Sequence, residues 1–233
     1  MADKLSSLRR LDWDSEFFGK EIGHFESNEE IELNLNFADF ELVQAKVSAS
    51  NSTHIDNPSN MGFVFVEGEL NFILDLTNNK YSNNFEPAVT ATPNDINEIC
   101  KIASNELQTS RYRAPWFSDL HRSNLYSTWA QKAVLGQYDD ICLVAKDNSG
   151  SITGFATLKF HGQHARIGLI TVDSRFRRQG VGKQLLASVI IACQKKGCDS
   201  LLVSTQMSNT AAIQAYAKAG FTPNSINYWF YRT

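Results

Sequence analysis

Two α/β parts of unequal size are what this sequence predicts, and three observations predict them. A strand, a turn and an amphipathic helix run from residue 167 to 197; a second strand and helix follow at 200–219; and a polar, turn-rich break near 77–92, with Pro87 and Pro93, sets a smaller N-terminal segment apart. Strand, helix, strand, helix in that order is a right-handed crossover unit. The expected boundary puts residues 1–85 in an N-terminal α/β domain and residues 86–233 in the larger one.

The elements follow in order. In the first part, residues 42–49 and 63–74 read as strands, and Trp13, Phe17 and Phe18 are expected in its core. After the break, Thr92-Pro93-Asn94-Asp95 opens a helix carrying Ile96, Ile99, Cys100 and Ala103. Residues 140–145 and 152–158 read as strands joined by a hairpin-like turn at 146–151. The strand at 167–172 then enters the run Val172-Asp173-Ser174-Arg175-Phe176-Arg177-Arg178-Gln179-Gly180-Val181-Gly182-Lys183. Beyond it Val181, Leu185, Leu186, Val189, Ile190 and Cys193 share one helical stripe, and Lys195-Lys196-Gly197 supplies cations and a glycine at the helix end. Residues 200–205 form the next strand. Asn209 caps an alanine-rich helix that stops at Ala219-Gly220-Phe221. An aromatic strand at 226–231 closes the chain and is expected to pair or exchange with a second subunit in a possible homodimer.

The turn at 172–183 carries the chemistry. Amide N–H groups at a helix start hold partial positive charge, glycine lets a diphosphate approach the backbone, and arginines add full charges, so the expected ligand bears phosphate. Gln184 follows Lys183 where a Walker loop needs Ser or Thr. A dinucleotide fingerprint lacks its third glycine, although Asp199 falls near the acidic position. A plain tight turn is the bland alternative.

The spacing Arg177-x-x-Gly180-x-Gly182 between strand and helix, with Asn209, Tyr216 and Ala219-Gly220-Phe221 downstream, resembles the GNAT N-acetyltransferase superfamily. The resemblance implies a GNAT acetyltransferase fold over 86–233, with acetyl-CoA as co-substrate. Its expected contacts are Leu169, Ile170, Thr171 and Val172 on a strand splayed from 201–205, then Arg177, Arg178, Gln179, Gly180, Val181, Gly182, Lys183, Asn209 and Ala212. Further stretches resemble nucleotide-amino-sugar N-acetyltransferases: 13–19, 43–46, 66–69, 110–116, 205–212 and 228–232. They imply a dTDP-amino sugar acceptor of the 4-amino-4,6-dideoxyhexose type, in surface-polysaccharide precursor synthesis, with the N-terminal domain as substrate platform; the alternatives are another small-molecule or protein amine as acceptor, or a non-catalytic CoA-binding module.

Transfer to a sugar ammonium requires removal of a proton, support for a developing oxyanion, and a proton for the departing thiolate. The resemblance assigns the last to Tyr216 and the second to main-chain N–H groups of 169–172. Glu67 is the candidate base. Arg111 and Arg113, on one side of the chain if extended, are candidates for the dTDP phosphates, with Tyr112 or Trp116 as an aromatic surface to base or sugar. Bland readings stand beside these: a core aromatic for Tyr216, a solvated strand carboxylate for Glu67, and a surface loop with ion pairs for the arginines.

Composition sets the frame. With 233 residues and 42% hydrophobic content the chain can bury a core; a net charge of −3 argues against general nucleic-acid binding. The N-terminal residues lack a charged-then-apolar leader and no apolar run reaches membrane-spanning length, so the expectation is a cytoplasmic enzyme without membrane partners. Cys100, Cys142, Cys193 and Cys198 lack metal-ligand spacing; reduced thiols and no metal are expected.

Overall fold

The computed structural model describes residues 8–26, 36–77 and 86–233. It forms two compact units. One comprises residues up to Leu70 with Gln206–Ser208 and Ser225–Thr233; the other comprises Asn71–Thr205 and Asn209–Asn224. The division expected at 85/86 falls beside residues 78–85, which lie outside the described residues. The units part instead after Leu70, and the chain's C-terminal end belongs with the first, because its strand is laddered there.

The first unit contains β1 (Leu8–Arg10), α1 (Asp12–Phe18), β2 (Ile22–Phe25), β3 (Leu42–Ser48) and α2 (Ser52–Asn60). It also holds the first half of β4 (Val64–Asp75) and most of the C-terminal strand, β10 (Thr222–Arg232). Its strand order is β1-β2-β3-β10-β4. Strand β2 runs parallel to β3, and β10 runs antiparallel to β3 from Asn227 opposite Ser48 to Arg232 opposite Val43. Phe25, Val43, Ala45, Val47, Phe63 and Phe230 pack as one apolar cluster. Two expectations change here. Strand β10 lies between β3 and β4, so residues 227–232 find their strand partners within the chain. Trp13 is 46% exposed, stacked on Phe17 at 4.8 Å, while Phe18 alone of the three is buried.

The second unit contains β5 (Val89–Thr90), α3 (Ile96–Glu106), α4 (Asp119–Val134), β6 (Ile141–Lys146), β7 (Ile152–His161), β8 (His164–Val172), α5 (Val181–Lys196), β9 (Ser200–Gln206) and α6 (Thr210–Lys218). Its order is β4-β9-β8-β7-β6-β5. β6, β7 and β8 form an antiparallel meander, and β8 then crosses over through α5 to the parallel β9. The stripe read on α5 is buried as expected: Val181, Leu185, Leu186, Val189, Ile190 and Cys193. Burying each large apolar side chain is worth about 1.5–3 kcal/mol, which outweighs the modest propensity of a helix rich in β-branched residues. Ile99, Ile102 and Ala103 of α3 and Tyr126 and Ala130 of α4 pack with Cys142, Val144, Phe155 and Leu169 of the sheet. No helix among the described residues is long and apolar enough to cross a membrane.

Candidate active site

Strand β8 changes its pairing partway along. Its parallel ladder with β9 runs from His164 opposite Ser200 to Ile167 opposite Val203 and stops there, although β9 continues to Gln206. At the same point the β7 ladder shifts. Leu158 faces Ile167 and Ala156 faces Ile170, so Gly168 and Leu169 together stand opposite the single residue Thr157. This is a β-bulge, one extra residue on β8, and bulges bend the strand that carries them.

The bulge decides which amides of β8 are free. Asp173 N–H donates to the Thr153 carbonyl at 3.0 Å, so 173/153 is a hydrogen-bonded pair. Antiparallel pairs alternate, which directs Thr171 toward β7 and turns the N–H groups of Ile170 and Val172 to the side from which β9 has parted. Leu169 N–H is held by Thr157 Oγ1 at 2.8 Å. Of the four residues expected to contribute main-chain contacts, the geometry therefore leaves the amides of Ile170 and Val172 available and commits those of Leu169 and Thr171 to the β7 side.

Beyond β8 the chain makes a short 3-10 turn at Ser174–Phe176 and enters α5. Asp173 fixes that turn by accepting from Arg175 N–H at 2.9 Å and from its guanidinium at 2.6 Å; the same guanidinium holds the Asp173 carboxyl below its usual range. Arg178 (φ 62°) and Gly180 (φ 88°) are both left-handed. A non-glycine residue in that region costs of order 1 kcal/mol, and such alternation of backbone hand makes an anion-accepting concavity. Gly180 caps α5 with no side chain to offer the helix. Among the described residues, the N–H groups of Arg178, Gln179, Gly180, Val181 and Gly182 have no acceptor; the first bond of the helix is Gln184 N–H to Gly180 O at 3.0 Å. Arg178 and Lys183 are exposed. Arg177 pairs with Glu106 at 2.6 Å, and Glu106 also accepts from Ser174 N–H at 3.0 Å, so α3 ties down the far side of the loop.

Asn209 caps α6, its Oδ1 accepting from Ala212 N–H at 3.2 Å, which engages that amide within the helix. Tyr216 on α6 is 4% exposed, packed between Phe72 and Phe221 with ring centroids 5.7 Å away in each case. Its hydroxyl has no hydrogen-bond partner among the described residues, and burial pushes its pKa up, so the phenol keeps its proton at neutral pH. In the first unit, Glu67 is half-buried on β4 and accepts from Ser208 Oγ at 2.8 Å and from Gly68 N–H at 3.0 Å.

Residues 111–113 are not extended. Arg113 N–H closes onto Arg111 O at 3.1 Å, so strand-like alternation does not apply to the two arginines. Arg111 donates to the Tyr112 hydroxyl at 2.6 Å and lies over that ring; Arg113 lies over Trp116 at 5.1 Å. Burial pushes the Cys142 and Cys193 thiols up to about 12, making them poor nucleophiles.

The profile of the acetyltransferase (GNAT) family matches residues 103–221. The dTDP-fucosamine acetyltransferase of Escherichia coli O6:H1 is 34% identical over 230 residues, covering 97% of this chain and 98% of the relative. A GCN5-related N-acetyltransferase from Sphaerobacter thermophilus is similar in structure with TM-score 0.61 at 17% identity, over 82% of this chain and 59% of the other. A functionally unknown conserved protein from Staphylococcus epidermidis aligns with TM-score 0.63 at 12% identity, over 92% of this chain and 85% of the other.

Proposed function

Since the chain belongs to the acetyltransferase (GNAT) family, we propose that it moves the acetyl group of acetyl-CoA to the 4-amino group of a dTDP-4-amino-4,6-dideoxyhexose. The acceptor class is that named by the Escherichia coli relative, dTDP-fucosamine. One observation carries the reading: a single strand-turn-helix offers two sets of unused amides, those of Arg178 to Gly182 and those of Ile170 and Val172.

When bound, acetyl-CoA supplies an activated thioester. The amides of 178–182, with the charges of Arg177, Arg178 and Lys183, hold its diphosphate at the start of α5. The N–H groups of Ile170 and Val172 donate to the acetyl oxygen, where negative charge builds as the amine attacks; a fixed donor of this kind is worth roughly 10²–10³ in rate. Tyr216, kept neutral by burial, donates its proton to the departing sulfur. Glu67 takes a proton from the sugar ammonium, a role that rests on the sequence resemblance. Arg111 and Arg113 receive the dTDP phosphates and Trp116 the base or sugar, on the same ground. Transfer is direct, without a cysteine intermediate. The proposal includes a cytoplasmic location and a place in surface-polysaccharide precursor synthesis, where nucleotide-linked amino sugars are consumed.

Mass spectrometry of products from acetyl-CoA and the two 4-epimeric dTDP-4-amino-4,6-dideoxyhexoses tests the reading. One acetyl added to one epimer is expected; acetylation of neither, with CoA still bound, ends the acceptor assignment. Tyr216→Phe should lower kcat by about 10- to 10³-fold and leave CoA affinity within about twofold. Equal losses in both would move Tyr216 from chemistry to binding.

A further inference from the structure

We propose that Asp139 and Thr157 are positioning residues for acetyl transfer: they hold the bulge at Gly168-Leu169 that aims the amides of Ile170 and Val172. The inference rests on the acetyltransferase reading and adds two residues to it.

A bulge leaves an extra main-chain donor without a ladder partner. Here a side chain takes the place of the missing carbonyl, Leu169 N–H donating to Thr157 Oγ1 at 2.8 Å. A hydroxyl rotates freely unless its proton is claimed. Thr157 gives its proton to Asp139 Oδ2 at 2.6 Å, which leaves the lone pairs of Oγ1 for Leu169. Asp139 is itself held, because Trp129 Nε1 donates to the same oxygen at 2.8 Å and Arg166 stands 3.6 Å from the other. Asp139 and Thr157 are both 0% exposed, so bulk water does not compete for these bonds.

Gly168 completes the device. A Cβ on it would lie 2.1 Å from Asp139 Oδ2 and 2.7 Å from Thr157 Oγ1, so the carboxylate and hydroxyl occupy the volume a side chain would need. The consequence for β8 is geometric. The bulge adds one residue to the strand, and side-chain and amide directions alternate with period two. Without the bulge, the amides of Ile170 and Val172 would exchange sides with those of Leu169 and Thr171, and the parting from β9 after Ile167 would lose its cause.

The test uses the full chain and separates position from stability. For Thr157→Val, kcat is expected to fall at least ~10-fold, since an Å-scale shift of a charge-stabilising donor is that costly. Affinity for CoA without its acetyl group, measured by calorimetry, should stay within about twofold, because the loop at 178–182 is untouched. Thr157→Ser, which keeps the oxygen, should restore most of kcat. Amide exchange by NMR should show Leu169 and Thr171 protected in the parent, and Leu169 alone losing protection in Thr157→Val. The proposal is overturned if Thr157→Val keeps kcat within twofold, if kcat and CoA affinity fall in proportion, or if Thr157→Ser is as poor as Thr157→Val. Should Thr157→Val not fold, Asp139→Asn decides by the same criteria. A parent that neither binds CoA nor acetylates an amine defeats the acetyltransferase reading itself; a parent that does both beside an unaffected Thr157→Val defeats this inference alone.

Discussion

Helices α4 and α5 have the same length, 16 residues each, and begin in opposite ways. At the start of α4, Ser118 Oγ accepts from His121 N–H at 3.1 Å while His121 Nδ1 accepts from Ser118 N–H at 3.4 Å, so orphan donors of the first turn are satisfied from within. Asn209 does similar work for α6. At α5 the capping residue is Gly180, and five successive amides from Arg178 to Gly182 find no acceptor among the described residues. The starts of α4 and α6 are thus closed by side-chain caps, and the start of α5, where the diphosphate is proposed to bind, carries none. The C-terminal end of α5 sharpens the point: Gly197 is also left-handed, yet its N–H bonds Gln194 O at 3.0 Å and Cys198 N–H bonds Cys193 O at 3.0 Å. Left-handed glycine alone therefore does not distinguish the two ends of α5; unused donors do.

The largest expected effect breaks the open end. Gly180→Asp puts a carboxylate among the donors proposed to hold a diphosphate, and CoA affinity should fall by about 100-fold or more. A Cβ at Gly180 meets nothing within 4 Å, so the added side chain has room in the free protein and only the left-handed backbone is strained, at about 1 kcal/mol. Calorimetry and a thermal melt together decide. Unchanged CoA affinity would mean that these amides do not hold the diphosphate.

What was legible in the sequence follows the same division between local and distant causes. The loop at 177–183 was readable because its glycines, arginines and flanking periodicities lie within a dozen residues. The bulge was not, because Gly168 and Leu169 become extra only when Thr157 and Asp139 are brought beside them by strand pairing. Helix α4 was missed for a related reason: its buried face includes Arg122 beside Leu125, Tyr126, Ala130 and Ala133, which blurs the apolar stripe. Arg122 is tolerated there because Asp119 at 2.7 Å and Gln108 at 2.6 Å receive its guanidinium, partners that no periodicity announces. The C-terminal strand was readable as a strand, but its partners within the chain were not, since β3 and β4 lie more than a hundred residues away in sequence.

A smaller effect is expected at the closed end of α4. Ser118→Ala removes the acceptor for His121 N–H, and loss of such a cap typically costs about 1 kcal/mol of stability, a few degrees in Tm. CoA affinity should not change. A Ser118→Ala variant that lost CoA affinity as Gly180→Asp does would dissolve the distinction between the two helix starts.

The smallest effect concerns pH and the start of α3. Asp95 accepts from Lys146 Nζ at 2.7 Å, from Thr92 N–H at 2.7 Å and from Thr92 Oγ1 at 2.8 Å. The Lys146 ammonium is the main reason its carboxyl lies below the usual carboxylate range, with the two Thr92 bonds adding to the effect. A carboxyl depressed on folding binds fewer protons in the folded chain than in the unfolded one. Its stabilisation is therefore present above the unfolded pKa of about 4 and is lost as pH falls through the folded value. Asp95→Asn should be less stable than the parent near pH 7, by about 1 kcal/mol or less once solvent screening at the partly exposed Lys146 is allowed for, and the gap should close as pH is lowered from about 5 toward 3. Denaturant titrations at several pH values measure that gap; one that stayed constant or widened in acid would show that Asp95 acts through its shape and not its charge. Gly180 has no titrating side chain, so the start of α5 makes no matching acid-linked contribution in the parent. At α3 the charged group instead closes the 3-10 turn Pro93–Asp95 that leads into the helix, and α3 itself starts without a side-chain cap bond.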